Sequence, residues 1–140
     1  MLTRLPAAYF SGVRVQKLTT REAVVTVPYK WFSQNPFRST YFACLAMAAE
    51  MSTGLLAMMQ IYKRSPAVSM LVVKLEAHYY KKATGITSFS CDAGAEFEAV
   101  VDACLADGEA RSYTSRSVGT NAANEIVAEF FITWSFKAKL

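Results

Sequence analysis

From Tyr41 to Met59 the chain carries a single charge, Glu50. The rest of that run is apolar or small, and a helix apolar on every side is one that a globular fold buries. A carboxylate in such a place must be hydrogen-bonded, paired or neutralised, because a bare buried charge is strongly destabilising. The fold therefore has to wrap this helix and supply Glu50 with a partner or a task. Fifteen residues upstream stands Asn35, followed by Pro36, in the loop that feeds the helix. An acid on a buried helix and a polar loop residue near that helix's start make a candidate catalytic cleft.

The chain's 140 residues suit one domain, 1–140, large enough for a real core. With 53% hydrophobic and 19% charged residues, disorder is excluded, and the apolar excess points to a buried subunit interface. The net charge of +4 is spread out, with pairs at Lys63-Arg64 and Lys81-Lys82, and suits an anionic ligand such as a nucleotide-bearing thioester. No Lys/Arg-rich tract exists, which argues against a nucleic-acid partner. Three widely spaced cysteines, Cys44, Cys91 and Cys104, read as reduced thiols in a cytoplasmic protein. With His78 the single histidine and no Cys-x-x-Cys, no metal site is expected. Tyr41 to Tyr62 is long enough to cross a bilayer, but the central carboxylate argues against a membrane span.

The order of elements follows from periodicity. Residues 2–10 read as a short helix ended by Gly12, and 13–17 and 22–29 as strands, with Pro28 closing the second. Residues 31–38 form a loop in which Pro36 holds Asn35 out of the helical region. Ser39 or Thr40 is the expected N-cap of the long helix, which runs to about Tyr62 with Lys63-Arg64 at its negative end. A long strand follows over 70–80. Strict alternation turns Leu71, Val73, Leu75, Ala77 and Tyr79 one way and Lys74, Glu76 and His78 the other. A strand over 86–91, a helix over 95–106 closed by Asp107-Gly108, and strands over 111–118 and 126–137 complete the chain. The sum is an α+β architecture, an antiparallel β-sheet wrapped around a long central α-helix. One sheet covers one side of that helix, so a second subunit is expected on the other.

This order, with the Asn35 to Glu50 spacing, resembles the hotdog fold of acyl-CoA thioesterases of the phenylacetyl-CoA type. Many of those enzymes carry Asn-x-x-Gly-x-x-His-Gly-Gly, then six residues, then an Asp or Glu on the central helix. Here Asn35 and Glu50 hold the ends of the pattern and Gly54 supplies the small residue four positions after the acid. Arg38 stands for the loop glycine, and Tyr41-Phe42-Ala43 stand for His-Gly-Gly. Tyr80-Lys81-Lys82-Ala83-Thr84-Gly85 is similar to the family's stretch between the third and fourth strands. The helix over 95–106 is closer to a poorly characterised branch of the fold than to its standard thioesterases.

The resemblance implies a homodimer, or a dimer of dimers, that hydrolyses an acyl-CoA or similar thioester. It implies no cofactor beyond the coenzyme A of the substrate. Glu50 would be the general base or the nucleophile, its pKa raised by burial. Asn35 would orient water or polarise the carbonyl, and the helix start at Thr40, Tyr41 and Ala43 would hold the oxyanion. Arg38 would meet a phosphate of coenzyme A. Phe37, Met47, Met58 and Met59 would line the acyl group, with Gly54 giving room beside the acid. Each residue also has a plainer reading: a structural acid, a turn asparagine, a solvated arginine, and methionines that fill the core. The rival function is a non-catalytic hotdog protein that binds acyl or lipid ligands or serves as an assembly module.

Overall fold

The computed structural model describes residues 3–139. A short helix α1 (Pro6–Phe10) precedes strands β1 (Arg14–Leu18) and β2 (Ala23–Val27). A single 3-10 turn (Trp31–Ser33) leads to helix α2 (Phe42–Ile61) and strands β3 (Val68–Tyr79) and β4 (Thr87–Cys91). Helix α3 (Gly94–Asp107) and strands β5 (Arg111–Thr120) and β6 (Ile126–Ala138) follow. The six strands form one sheet in the order β1-β2-β4-β5-β6-β3, every neighbouring pair antiparallel. The expected α+β architecture is therefore the one observed, and every expected element is present. α1 begins later than expected, at Pro6, where the ring suits the first helical turn; Leu2, placed on its apolar side, lies outside the described residues.

α2 is the helix that the sheet wraps. It packs on β2, β4, β5 and β6 and on α3. It is long and apolar enough to cross a membrane, but Cys44, Leu45, Ala48, Ala49, Leu56 and Ala57 are buried against the sheet, which makes it the core helix. Its small residues let it lie close to the strands, and its polar ones are tied down. The hydroxyls of Ser52 and Ser117 are hydrogen-bonded at 2.7 Å, and Trp134 Nε1 donates to Thr53 Oγ1 at 2.9 Å. On the sheet side Val25, Val27, Phe89, Phe130, Ile132 and Phe136 are fully buried, with Phe89 edge-on to Phe130 at 5.6 Å. Each such side chain contributes roughly 1.5–3 kcal/mol by leaving water. α3 adds Phe97, Val101 and Cys104 to the same core and ends at Gly108, whose φ of 74° closes a left-handed cap on Cys104 O. All three cysteines are free and buried.

Two local expectations need correction. Neither Ser39 nor Thr40 caps α2: Tyr41 holds the N-cap position with no side-chain cap bond, because both hydroxyls are committed elsewhere, Thr40 to Ala83 O and Ser39 to Asn35 Oδ1. At the other end, Lys63 and Arg64 follow α2 as expected, and Arg64 pairs with Asp102 of α3. The alternation of β3 is also broken. A register shift between Val72 and Lys74 sets Leu71 opposite Ser135 and Lys74 opposite Thr133, so Leu71 shares the outer face with Lys74, Glu76 and His78. Val73 is the extra residue of a β-bulge. Val72, Leu75, Ala77 and Tyr79 face inward opposite Trp134, Ile132, Phe130 and Ala128. α2 makes its main contacts with other strands, and Leu75 and Tyr79 stay exposed.

Candidate functional site

The loop before α2 is built around one amide. Asn35 Oδ1 accepts from Phe37 N (2.9 Å), Ser39 N (3.2 Å) and Ser39 Oγ (3.2 Å), and Asn35 Nδ2 donates to Thr40 O at 3.4 Å. Its backbone N–H reaches Ser39 O, which folds residues 35–39 into a tight turn. Arg38 sits in that turn with φ of 59°, in the left-handed region. The segment after β3 is stitched to this loop: Thr40 N and Thr40 Oγ1 both donate to Ala83 O, and Lys82 Nζ donates to Phe37 O at 3.2 Å. Between them lies a cavity of about 570 Å³ lined by Asn35, Phe37, Ser39, Thr40, Tyr41, Phe42, Leu45, Tyr79, Tyr80, Lys81 and Lys82. Lys81 is also paired with Glu125.

The start of α2 opens into this cavity. The N–H groups of Cys44 and Leu45 return to Tyr41 O, which leaves those of Phe42 and Ala43 without an acceptor among the described residues. With no capping side chain in place, they and the positive end of a twenty-residue helix are available to an oxygen that carries negative charge. Tyr41 and Phe42 are edge-on to each other at 5.0 Å; both are exposed and form walls of the cavity.

Glu50 lies elsewhere. It is half-buried, and its carboxylate has no hydrogen bond or ion pair among the described residues. Burial alone raises its pKa above the ordinary 4.5. It borders a second cavity, of about 210 Å³, between α2 and the N-terminal segment, lined by Arg4, Leu5, Pro6, Ala7, Ala8, Met47 and Met51. Glu50 follows Phe42 by eight residues, which is about 12 Å along the axis and about 80° around it. Gly54, one turn on, is buried beneath Trp134: a Cβ there would lie 3.0 Å from Trp134 Cζ2 and 3.3 Å from Glu50 Oε1. A third, apolar cavity of about 300 Å³ is lined by Leu18, Leu55, Met58, Met59 and Tyr62.

The structure thus brings Asn35, Phe37, Thr40 and Tyr41 together and places Met47 beside Glu50. Within a chain it does not bring Asn35 and Glu50 into one cavity: Asn35 lines the first and Glu50 the second. Arg38 and Ala43 are beside the first cavity in sequence but do not line it. Met58 and Met59 belong to a separate cavity. Tyr79 and Lys82 were not among the candidates. Their signal was the run Tyr79-Tyr80-Lys81-Lys82, aromatic and basic at a strand end, but its contact with a loop more than forty residues earlier has no trace in the sequence. Among the described residues no group of His, Cys, Asp and Glu could hold a metal.

An antiparallel six-stranded sheet wrapped on one long helix is the hotdog fold, and solved structures share it. A protein of unknown function from Pseudomonas aeruginosa, described as a probable thioesterase, matches with a TM-score of 0.83 and 19% identity over 99% of this chain and 92% of its own. A thioesterase of Haemophilus influenzae matches at 0.69 and 9%, over 94% and 82%. A mutant thioesterase of Staphylococcus aureus matches at 0.70 and 11%, over 92% and 96%. No curated protein matches the sequence. The chain belongs to the family described as Domain of unknown function (DUF4442), whose pattern covers residues 1–136.

Proposed function

We propose that the protein is a homodimeric hydrolase of acyl-CoA or similar thioesters, with Glu50 as general base. The observation that carries this reading is Glu50 itself: a half-buried carboxylate, without a protein partner among the described residues, facing a cavity. A purely structural acid would be bonded; a base is left free to hold water. The likeness of fold to thioesterases supports the reaction class.

Because Asn35 and Glu50 of one chain face different cavities, the loop and helix start of one copy work with Glu50 of the other. The exposed inner-face side chains Leu75 and Tyr79 of β3 and the exposed side of α2 give that second copy a seat. The substrate's phosphates meet Lys81, Lys82 and Arg38, and Asn35 offers the second proton of its amide to the thioester oxygen. Glu50 then takes a proton from water as the oxygen of that water attacks the carbonyl carbon. The developing oxyanion is held by the N–H groups of Phe42 and Ala43. On collapse the C–S bond breaks, and the departing thiolate takes the proton from Glu50, which leaves a carboxylic acid and a free thiol. The dimer of dimers and the cytoplasmic location expected from the sequence belong to this same proposal.

The aromatic walls at Tyr41 and Phe42, where the resemblance has His-Gly, favour the rival of binding without turnover. Thiol release from short, long and aromatic acyl-CoA substrates separates the two. Turnover that falls about 10²–10⁴-fold in Glu50→Gln, with the fold intact, supports the base. Acyl-CoA binding with no hydrolysis of any substrate supports the binding protein.

A further inference from the structure

Charge is divided unevenly along the chain. Residues 1–49 hold six Lys or Arg and one carboxylate, Glu22, whereas residues 50–140 hold nine and ten. Glu22 is already paired with Lys17. The same basic stretch carries a cluster of aromatic rings at the surface. Phe10 at the end of α1 meets Phe32 at 6.4 Å between centroids, and Phe32 meets Trp31 at 6.3 Å. Their exposures are 57%, 58% and 81%. Tyr9 extends the cluster edge-on to Phe10, and the Arg14 guanidinium lies 4.4 Å over the Tyr9 ring. Lys30 directly precedes Trp31 and is exposed.

A contiguous, exposed aromatic patch marks an interaction surface, and the charge around it selects the occupant. The charged side chains placed at these rings, Arg14 over Tyr9 and Lys30 beside Trp31, are both cationic, so a twofold contact centred on the patch would bring like charges together. A bilayer with anionic lipids meets both features. Indole and phenyl rings favour the headgroup layer, and each cation beside an anionic leaflet strengthens binding about fivefold. We propose that this patch docks the protein reversibly on an anionic lipid surface, with Phe10, Trp31 and Phe32 entering the headgroup layer and Arg14 and Lys30 meeting lipid phosphates. The inference stands apart from the thioesterase reading, since none of these residues lines the two cavities assigned to it.

Vesicle flotation of the whole protein tests it, with phosphatidylcholine alone against an equimolar mixture of phosphatidylcholine and phosphatidylglycerol. The two tryptophans make the readout specific. Trp134 is buried and bonded to Thr53, so a blue shift of emission on binding reports Trp31. The expected result is binding to the anionic vesicles alone, weakened by salt, with that blue shift. Lys30→Glu and Phe32→Ser should each weaken binding about fivefold or more, with an unchanged elution volume. Lys30→Glu alters an exposed side chain and keeps the test open if Phe32→Ser fails to fold. Three results would overturn the proposal: no binding to either vesicle, equal binding by wild type and variants, or a change of oligomeric state in Phe32→Ser, which would assign the patch to a contact between copies.

Discussion

Arg38 occupies a backbone conformation that a side chain disfavours. Its φ of 59° is stabilised by the turn that Asn35 closes, and a residue with a Cβ is about 1–2 kcal/mol less stable there than in ordinary regions. Glycine is free of that strain but gives the unfolded chain more freedom, by about 0.4–1 kcal/mol. Arg38→Gly should therefore stabilise the protein by up to about 1 kcal/mol, read as a higher urea midpoint. If the side chain also meets a substrate phosphate, KM for acyl-CoA should rise in the same variant while kcat holds. Glu50 is likewise a residue that is costly to the fold. Its folded pKa is raised, so the folded state binds the proton more tightly than the unfolded one. Above the folded pKa both states are ionised and burial destabilises the native protein in full. As pH falls through the folded pKa toward 4.5, the native state takes up its proton and the cost disappears. Glu50→Gln should thus be more stable than wild type at neutral pH, with the difference gone below about pH 4. Denaturation across that range checks it; equal stability at every pH would mean that Glu50 is solvated or paired.

At the scale of elements, α2 and its contacts with β6 show what the sequence could and could not tell. A run with one charge in nineteen residues declares a buried helix, and the period-two pattern in residues 126–137 declares a strand, since both depend on local spacing alone. The bulge at Val73 was hidden because it is a matter of pairing: Leu71 and Val73 look equivalent until Ser135 and Thr133 fix the register. The cap of α2 was hidden for a similar reason. Thr40 is a good capping residue, but Ala83 O, forty-three positions away, takes its hydroxyl. For the candidate site, the spacing from Asn35 to Glu50 was legible and their placement in two cavities was not, since that depends on which distant segments pack beside each. The bond from Trp134 to Thr53 is the corresponding long-range tie between α2 and the sheet. Thr53→Val keeps the shape and removes the acceptor, which leaves a buried indole N–H unpaired at a cost of about 1–3 kcal/mol. Chemical denaturation should show that loss, and Trp134 emission should change in the folded state.

At the scale of the whole molecule, the sheet is closed at neither edge, and the two edges are not alike. β1 is five residues long and every one is exposed; β3 is twelve residues long, with Leu71, Val73, Leu75 and Tyr79 exposed. A long apolar edge strand left open is a template for association that proteins cover or blunt. β3 is blunted by the bulge at Val73 and by the exposed charges of Lys74 and Glu76, but its inner face ends at Tyr79 in the same cavity as Phe42, which lies bare at the start of α2. In the proposed dimer a second copy seated there would cover the edge and bring its own loop toward Glu50, which would make assembly and activity depend on one contact. Leu75→Lys tests that dependence. Removing a leucine of this kind from an interface weakens association by roughly tenfold to a hundredfold. Because Leu75 is 44% exposed within the chain, the folded protomer should tolerate the change. Sedimentation equilibrium should find a dimer for wild type and a shift toward monomer for the variant, with thioester hydrolysis falling in proportion to the dimer and recovering at high protein concentration. A variant that is monomeric and fully active would show instead that one chain holds a complete site.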